Sequence, residues 1–315
     1  MNEHFYAKIL LFGEYGIILG SKALSIPYTH FMGELSFIGD DKYTNLIQAQ
    51  NSNRNLERFA NYLKNNFSST DFDFVQLDAD LHNGLYFEST IPAGYGIGSS
   101  GALVAAIYHS YARKHIESSR HITTREINQL KALFSTMESY FHGKSSGFDP
   151  LNAYLKFPLL HKENRKVTIT GIPLHKFEEE GAVFLINTHK NGKTETYVNA
   201  FLSWCNETDF RTLIVDEYIP LINSAIELLL SGNSEQFFIT LKHLSLFQFT
   251  HFRPMIPKEF PEIWNEGNEN NLYHLKLCGS GGGGFILGFA QDYSKARQAL
   301  KKHGVQPVLV YEKKR

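Results

Sequence analysis

The sequence predicts an α/β protein, and three observations indicate this fold class. Apolar runs typical of strands occur at 5–12 and 85–91, whereas 53–67 and 195–252 carry apolar residues at helical spacing. A loop rich in glycine and serine, within 90–107, joins the run at 85–91 to an alanine-rich helical run. The 315 residues suffice for two domains or for one large domain.

The remaining elements follow from the same two periodicities. Further strands are predicted at 31–38, 72–77, 166–172, 182–186, 272–277, 285–289 and 305–311. Helices are predicted at 102–115, 124–141, 195–205, 216–230, 234–250 and 293–303. Thr123 and Glu126 have the spacing of a capping box, which marks a helix start. A charged stretch at 176–181 changes the composition, so we predict two domains, 1–175 and 176–315.

The composition, with 43% hydrophobic and 20% charged residues, is that of an ordinary globular protein. Its 31 basic and 32 acidic residues nearly balance, so no overall field favours nucleic acid. Cys205 and Cys278 form neither a disulfide framework nor a metal-binding spacing. Without a signal peptide or a long apolar run, we expect a cytoplasmic, soluble protein that does not bind membranes. A homodimer is a candidate assembly, although the oligomeric state is not readable from the sequence.

The segment from Pro92 to Gly101, Pro-Ala-Gly-Tyr-Gly-Ile-Gly-Ser-Ser-Gly, has the composition of a phosphate-binding loop. Glycines let backbone N–H groups face inward without interference from Cβ atoms. The helix that follows adds unpaired N–H donors and the positive end of its dipole. A flexible surface turn is the alternative, but such a turn rarely needs four glycines. We therefore predict that the segment binds phosphate groups.

Three other phosphate-loop patterns fit the sequence less well. Gly96, Gly98 and Gly101 match the dinucleotide fingerprint in form, but the region where its second strand and acidic residue belong reads as helix. Gly143-Lys144-Ser145 resembles the end of a Walker loop, but Glu138 occupies the position of that loop's first glycine. The His-Arg-Asp and Asp-Phe-Gly triplets of protein kinases are absent from the sequence.

The pattern Pro-x-Gly-x-Gly-x-Gly-Ser-Ser-x-Ala from Pro92 to Ala102 is long and specific. It resembles the ATP loop of the GHMP kinases, the family of galactokinase, homoserine kinase, mevalonate kinase and phosphomevalonate kinase. The resemblance implies ATP as the phosphate donor. The residues that it implies in ATP binding are Pro92, Gly94, Gly96, Gly98, Ser99, Ser100 and Gly101.

The segment from Lys8 to Gly16 resembles the first motif of the same family. Lys8 lies in an otherwise apolar strand, where a charge is costly without a partner, unless the side chain snorkels at the strand end. Tyr15 stands where mevalonate kinases commonly have His, and phosphomevalonate kinases also show Glu-Tyr at this point. The resemblance implies a catalytic role for Lys8 and substrate contacts for Glu14 and Tyr15.

The segment from Glu138 to Asp149 resembles the mevalonate kinase pattern Glu-x3-His-Gly-x-x-Ser-Gly-x-Asp, with Ser145 in place of the usual proline. The resemblance implies that Glu138 and Ser100 bind magnesium and that Asp149 is the catalytic base. Because Asp149 precedes a proline, we expect it to have an extended backbone. The substrate contacts implied within this segment are His142, Ser146 and Gly147.

The segment from Lys276 to Leu287, with five glycines in six residues, resembles the third motif of the family. The resemblance places Gly281 and Gly282 near the substrate. Thr194 ends a polar loop similar to one in mevalonate kinases, and it is either a substrate contact or a helix N-cap. Neither alternative is favoured by the sequence.

Three motifs in this order imply the two-domain GHMP kinase fold, with an N-terminal S5-domain-2-like domain and a C-terminal ferredoxin-like domain. They also imply phosphoryl transfer from Mg²⁺-bound ATP to an alcohol, a reaction that depends mainly on positioning and charge stabilisation. Asp149 would accept the proton of the attacking hydroxyl. Lys8 would keep that aspartate ionised.

The predicted substrate is mevalonate, phosphorylated on its primary hydroxyl, because the motifs resemble those of mevalonate kinases most. Tyr15 and Phe148 leave phosphomevalonate as the alternative, which would need further basic residues near its phosphate. Candidates for that role are Lys22, Lys144, Lys190 and Lys193.

Three other hypotheses are less favoured. The Gly-Glu-His-x-Asp-Tyr signature of galactokinases is absent, and homoserine kinases typically lack an aspartate base. A non-catalytic ATP-binding regulator of the same fold would be expected to have lost Lys8, Glu138 or Asp149, and all three are present.

Overall fold

The computed structural model describes residues 3–40, 45–143, 145–162, 166–173, 181–192 and 194–312. The chain forms two compact units. The first comprises Met1–Lys8, Ile26–Pro92 and Ile97–Phe157, and the second comprises Ile9–Ser25, Ala93–Gly96 and Pro158–Arg315. The domain boundary predicted between residues 175 and 176 lies outside the described residues.

The first unit contains three strands and five α-helices, counted over the described residues. In chain order they are β1 (Phe5–Phe12), β2 (Ala23–Phe37), α1 (Leu46–Asn66), α2 (Phe74–His82), β3 (Leu85–Ser89), α3 (Ser99–Tyr111), α4 (Thr124–His142) and α5 (Phe148–Leu155). Strands β1 and β2 contribute residues to both units. Gly33–Phe37 of β2 pair antiparallel with Ser89–Leu85 of β3.

Helix α4 begins where the sequence predicts. The Thr123 hydroxyl accepts from the Glu126 N–H at 3.2 Å, while the Glu126 carboxylate accepts from the Thr123 N–H at 2.8 Å. These reciprocal bonds are the predicted capping box. The helix packs through an aromatic cluster of Tyr108, Phe134 and Tyr154, whose ring centroids lie 5.0–5.7 Å apart.

The strand predicted at 72–77 is wrong, because the structure has helix α2 there. The Asp73 side chain caps this helix by accepting from the Gln76 N–H at 3.1 Å. Leu77 and Leu81, four residues apart, are buried, whereas Val75 is 80% exposed. Aromatic and polar residues alternate over the first residues of this segment, which is typical of a strand. The helical spacing appears only with Leu81, one turn after Leu77.

The second unit contains, over its described residues, β4 (Leu159–His161), β5 (Val167–Ile169), β6 (Ala182–Asn187), α6 (Thr194–Trp204), α7 (Thr208–Leu213), α8 (Ile219–Ser231), α9 (Ser234–His251), α10 (Pro261–Glu269), β7 (His274–Leu277), β8 (Phe285–Ala290), α11 (Tyr293–Lys302) and β9 (Pro307–Glu312). A π-helical segment, Ile214–Tyr218, joins α7 to α8. Residues Ala23–Ser25 of β2 pair antiparallel with β4, which in turn pairs with β5.

Four strands of the second unit form an antiparallel sheet with the order β7-β8-β6-β9. Helices α6 to α10 lie between β6 and β7 in the chain, and α11 lies between β8 and β9. This connectivity and strand order are those of a ferredoxin-like domain with additional helices. All six residues of β8, the inner strand between β7 and β6, are buried.

Most helices and strands predicted from the sequence are present, with ends that differ by a few residues. The larger differences are that α1 begins seven residues early and that β2 begins at Ala23 rather than at 31. Helices α5, α7 and α10 were not predicted. No helix in the described part of the chain is long and apolar enough to span a membrane.

Candidate functional site

Lys8 and Asp149 form an ion pair in the first unit. Lys8 lies in β1 with its side chain 8% exposed, and its Nζ lies 3.0 Å from Oδ1 of Asp149. The Asp149 side chain is 33% exposed. The lysine therefore has the partner that its burial demands, rather than snorkelling at a strand end. The carboxylate is both charge-paired and accessible.

Asp149 belongs to the first turn of α5, so the prediction of an extended backbone at this residue is wrong. Gly147 precedes the helix with φ 70° and ψ 9°, a left-handed conformation that suits glycine. Pro150 is tolerated because the first turn of a helix needs no backbone N–H donor from it. The aspartate thus stands at the positive end of a helix of eight residues.

The start of α3 lies directly beside this ion pair. Gly98 precedes the helix with φ 84°, and a Cβ atom there would lie 3.1 Å from Cγ of Lys8. A Cβ on Gly101 would lie 2.8 Å from the backbone carbon of Asp149. The N–H of Lys8 also donates to the carbonyl of Ile97 at 2.9 Å. Two helix N-termini and one ammonium group therefore converge on one point of the first unit, an arrangement that favours phosphate oxygens.

Glu138 and Ser100 are brought together beside this point. Ser100 Oγ donates to Oε1 of Glu138 at 3.2 Å, and Ser145 Oγ donates to Oε2. Glu138 is 4% exposed. Burial, and then the charge of Asp149, raise the pKa of the Glu138 carboxyl to about 7.

A carboxylate and a hydroxyl side by side are oxygen ligands of the kind Mg²⁺ prefers. A bound cation would also offset the cost of a buried, ionised Glu138. The residues present therefore fit a Mg²⁺ ion that takes its other ligands from phosphate and water. The described residues contain no group of three or more His, Cys, Asp or Glu side chains with metal-binding proximity.

Residues 93–96 of the predicted ATP loop belong to the second unit, where they pack on the third glycine motif. A Cβ on Gly284 would lie 2.7 Å from the carbonyl oxygen of Tyr95. The carbonyl of Gly94 accepts from Gly192 N–H at 3.0 Å. A Cβ on Gly96, which has φ 71°, would lie 3.7 Å from the carbonyl oxygen of Cys278. The two glycine-rich segments thus form one surface of backbone groups.

Glu14 and Lys276 form a second lysine–carboxylate pair, buried in the second unit. Lys276 Nζ lies 2.5 Å from Oε1 of Glu14, with side-chain exposures of 0% and 1%. The ammonium group also donates to the carbonyl of Leu277 at 2.7 Å, and the Tyr218 hydroxyl donates to the carbonyl of Glu14 at 3.1 Å. Gln248 connects the two ends, because it donates to the Tyr218 hydroxyl and accepts from Leu277 N–H. The first and third motifs are therefore joined by a buried polar network.

Tyr15 connects the same two motifs. Its hydroxyl donates to the Ser280 carbonyl at 2.5 Å, and its ring packs against Phe201 and Phe252. Burial raises the pKa of this hydroxyl well above its usual range, so it remains a donor. Its φ of 59° is left-handed, an uncommon conformation for a bulky residue.

The third motif needs glycines for a specific reason. A Cβ on Gly282 would lie 1.9 Å from the Tyr197 ring, and one on Gly281 would lie 2.6 Å from the carbonyl oxygen of Met255. Thr194, at the start of α6, accepts a 3.1 Å hydrogen bond from Ser280 Oγ. Gly281, Gly282 and Thr194 therefore lie close together, and the substrate contacts predicted for them stay predictions.

The other predicted residues lie near these clusters. Ser146 Oγ accepts from the Phe148 N–H at 3.3 Å, so it supports the turn before α5. Pro92 is half-buried, and Ser99 is the first residue of α3. His142 ends α4, and its side chain lies outside what the structure describes. The individual roles of all the predicted site residues stay predictions.

Sequence reasoning missed three residues that shape these clusters: Ser145 on Glu138, Lys276 on Glu14 and Tyr197 on Gly282. The departure of Ser145 from the family's proline was a visible signal. Lys276 belongs to the third motif, but its spacing of 262 residues from Glu14 gives no local hint of pairing. The glycine run indicates that another group packs closely against this backbone, but it does not identify that group as the Tyr197 ring.

Comparison with known families is decisive for the architecture. Residues 54–156 match the family profile described as GHMP kinases N terminal domain, and residues 225–306 match GHMP kinases C terminal. The two matches together cover 185 of the 315 residues. The chain belongs to the GHMP kinase family. The predicted two-domain GHMP kinase fold is thereby confirmed.

Solved structures extend the likeness over nearly the whole chain. One is L. major mevalonate kinase in complex with R-mevalonate, with 18% identity and a TM-score of 0.64 over 100% of this chain and 97% of that one. Streptococcus pneumoniae phosphomevalonate kinase in complex with phosphomevalonate and AMPPNP has 14% identity and a TM-score of 0.62, covering 99% of both chains. Lactococcus lactis galactokinase complexed with galactose has 14% identity and a TM-score of 0.60, covering 99% and 92%.

These similarities show a shared fold and do not distinguish the three substrates. A comparison with curated protein sequences finds no match. Membership of the family supports an ATP-dependent kinase.

Proposed function

We propose that this kinase transfers the γ-phosphoryl group of Mg²⁺-bound ATP to the primary hydroxyl of mevalonate. The observation that carries the proposal is the ion pair between Lys8 Nζ and Asp149 Oδ1, 3.0 Å apart, at the start of α3 and α5. A charged, accessible carboxylate beside two helix N-termini has the chemistry of a base next to a phosphate site.

Asp149 accepts the proton of the substrate hydroxyl as its oxygen attacks the γ-phosphorus. A new O–P bond forms, the bond to the ADP oxygen breaks, and ADP leaves with the electron pair of that bond. Lys8 pairs with the carboxylate of Asp149 and stabilises the negative charge that develops on the attacking oxygen. The protein's contribution is chiefly position and charge, as phosphoryl transfer requires.

The phosphates of ATP are assigned to the Pro92–Gly101 loop and to the N-terminus of α3. Glu138 and Ser100 would hold Mg²⁺, which neutralises phosphate charge when it is bound. The adjacency of their oxygens, 3.2 Å apart, supports this assignment. Tyr15, Thr194, Gly281 and Gly282 are proposed to contact the acceptor.

We prefer mevalonate over phosphomevalonate because two of the lysines that are candidates for binding a substrate phosphate are paired with carboxylates. Lys22 pairs with Glu227, and Lys190 pairs with Glu259. Each of these lysines is therefore already matched with a carboxylate, which weakens its candidacy for a substrate phosphate. Lys144 and Lys193, the other two candidates, lie outside the described residues. Phosphomevalonate stays the second candidate because of Tyr15 and Phe148.

The test is an assay of ADP release with four acceptors: mevalonate, 5-phosphomevalonate, galactose and homoserine. We expect turnover with mevalonate to exceed that with any other acceptor. Faster turnover with 5-phosphomevalonate would show that the proposed substrate is wrong, while the proposed mechanism of phosphoryl transfer would stand. Binding of Mg–ATP without turnover of any acceptor would favour the regulator hypothesis and contradict the proposal.

A further inference from the structure

Both carboxylate oxygens of Glu138 accept a hydrogen bond from a serine hydroxyl. Ser100 Oγ donates to Oε1 at 3.2 Å, and Ser145 Oγ donates to Oε2. Ser100 comes from the predicted ATP loop, whereas Ser145 comes from the turn between α4 and α5. Two chain segments therefore fix the orientation of one buried carboxylate.

The Ser145 hydroxyl is itself held in place. Its Oγ accepts from the Gly147 N–H at 3.0 Å, so its single proton is directed to Glu138. The carbonyl of Ser145 accepts from Ser135 Oγ at 2.5 Å. The hydroxyl therefore has one partner as donor and one as acceptor, and its rotamer is determined by both.

The turn that carries Ser145 packs on one face of α4. A Cβ on Gly147 would lie 2.2 Å from the carbonyl oxygen of Lys131 and 2.7 Å from the nitrogen of Ser135. Lys131, Ser135 and Glu138 follow each other at spacings of four and three residues, so they share a helix face. Glu138 and the turn that contacts it are thus positioned by the same helix surface.

This contact does not follow from the family resemblance. The family normally has proline at the position of Ser145, and a proline side chain has no hydrogen-bond donor. The hydroxyl on Oε2 is therefore a feature of this chain beyond the motif.

We propose that Ser145 is a positioning residue for the magnesium site. By donating to Oε2 it fixes the carboxylate so that Oε1, which faces the Ser100 hydroxyl, is the oxygen offered to the cation. Hydrogen bonds to a ligating carboxylate fix its orientation and commonly change metal affinity by about 10- to 100-fold. The inference rests on the proposed function, because it concerns the cation that accompanies ATP.

The experiment compares AMPPNP binding with and without Mg²⁺, measured by calorimetry at pH 8, in the full chain. Ser145→Ala and Ser145→Pro remove the donor, and Ser145→Thr keeps it. Ser139→Ala is the matched control, since Ser139 Oγ donates to the Ser135 carbonyl on the same helix rather than to the Glu138 carboxylate. Turnover as a function of Mg²⁺ concentration is measured in parallel.

We expect Ser145→Ala and Ser145→Pro to weaken Mg²⁺-bound AMPPNP by about ten-fold while metal-free AMPPNP binds as in the wild type. The Mg²⁺ concentration for half-maximal turnover should rise by a similar factor. Ser145→Thr and Ser139→Ala should resemble the wild type in both measurements.

Unchanged Mg²⁺ dependence in Ser145→Ala would overturn the inference alone. An equal loss in Ser145→Ala and Ser139→Ala, or an equal loss of metal-free AMPPNP binding, would assign Ser145 a merely structural role and overturn it as well. A wild type that shows no Mg²⁺-dependent binding would overturn the proposed magnesium site, and this inference with it.

Discussion

Two lysine–carboxylate pairs, one in each unit, have similar chemistry and opposite surroundings. Lys8 and Asp149 are 3.0 Å apart in the first unit, and a third of the Asp149 side chain is exposed. Lys276 and Glu14 are 2.5 Å apart in the second unit, with both side chains almost entirely buried. Each lysine lies in a strand, β1 or β7. The two pairs differ in whether solvent or a bound molecule can contact the carboxylate.

Exposure separates a group that can react from a group that organises structure. Asp149 can accept a proton from a bound molecule because part of its carboxylate is open. The Lys276 ammonium donates to Oε1 of Glu14 and to the carbonyl of Leu277, and both side chains of the pair are closed to solvent. Ion pairs of this kind contribute geometry more than net stability, because desolvation offsets much of their attraction. The substrate contact predicted for Glu14 stays a prediction.

The largest effect is expected from Asp149→Asn, which keeps the shape of the side chain and removes the base. Turnover should fall by about 10²- to 10⁴-fold, the usual contribution of a positioned base. Lys8→Met should lower turnover comparably, because it removes the cation at 3.0 Å from the carboxylate. Steady-state ADP release and calorimetric binding of Mg–ATP are the two measurements.

The control for these variants is their stability and their nucleotide affinity. Because Asp149→Asn removes the charged partner of the buried Lys8 ammonium, the free energy of unfolding should fall by about 1–3 kcal/mol, and unfolding curves must show that the variant is folded under assay conditions. ATP should still bind. Near-normal turnover in either variant would remove Asp149 and Lys8 from the proposed mechanism.

The second effect concerns the buried pair. Lys276→Met removes the cation beside a carboxylate that is closed to solvent, so the free energy of unfolding should fall by about 3–5 kcal/mol. The double variant Glu14→Gln with Lys276→Met should lose less than Lys276→Met alone, because no uncompensated charge remains. Urea unfolding followed by circular dichroism measures all three proteins. A single-variant loss below about 1 kcal/mol would show that water or another group compensates the charge.

The sequence predicted both members of the Lys8–Asp149 pair as site residues, but only Glu14 of the buried pair. Periodicity and the family resemblance brought out Lys8, Glu138 and Asp149, and the structure places all three in one unit. The resemblance also predicted the ferredoxin-like arrangement of the second unit, which the strand order bears out. Local patterns suffice where a motif and its element lie within a few turns of chain.

What the sequence did not reveal depends on contacts between distant residues or on competing local rules. The bond between Glu14 and Lys276 spans 262 positions and is created by the packing of the second unit. At Asp149, the rule that the residue before proline is extended competes with the tolerance of helix first turns for proline, and Gly147 settles the outcome. At 72–77 the Asp73 cap overrides an apparent alternation.

A third, smaller effect is the pH dependence of stability that His274 should cause. This buried side chain of the second unit has an amide, not a carboxylate, as its hydrogen-bond partner. His274 Nδ1–H donates to Asn268 Oδ1 at 2.7 Å, since the Asn268 amide nitrogen donates to Ser245 Oγ. Burial, followed by the charge of Lys242, lowers the pKa of His274 to about 4. Because the unfolded chain takes up this proton near pH 6.5, stability should be lost as the pH falls from about 6.5 to 4.

The expected loss for this group is about 3 kcal/mol, taking 1.36 kcal/mol for each pH unit between the two pKa values. His274→Gln keeps a donor at this position without the titration, so it isolates the contribution of His274 from that of other groups. The difference in unfolding free energy between the wild type and this variant should therefore shift by about 3 kcal/mol between pH 7 and pH 4. A constant difference across this range would contradict the lowered pKa.

The smallest effect should come from a lysine–carboxylate pair that water reaches from both sides. Lys64 Nζ lies 2.6 Å from Oδ1 of Asp78, with side-chain exposures of 33% and 53%. Lys64→Met should change the free energy of unfolding by less than about 1 kcal/mol, measured by urea unfolding, and should leave turnover unchanged. A loss as large as that of Lys276→Met would break the proposed link between burial and energetic cost. In that case the exposure of Asp149 would not explain its proposed reactivity. Its position beside the N-termini of α3 and α5 would be the remaining explanation.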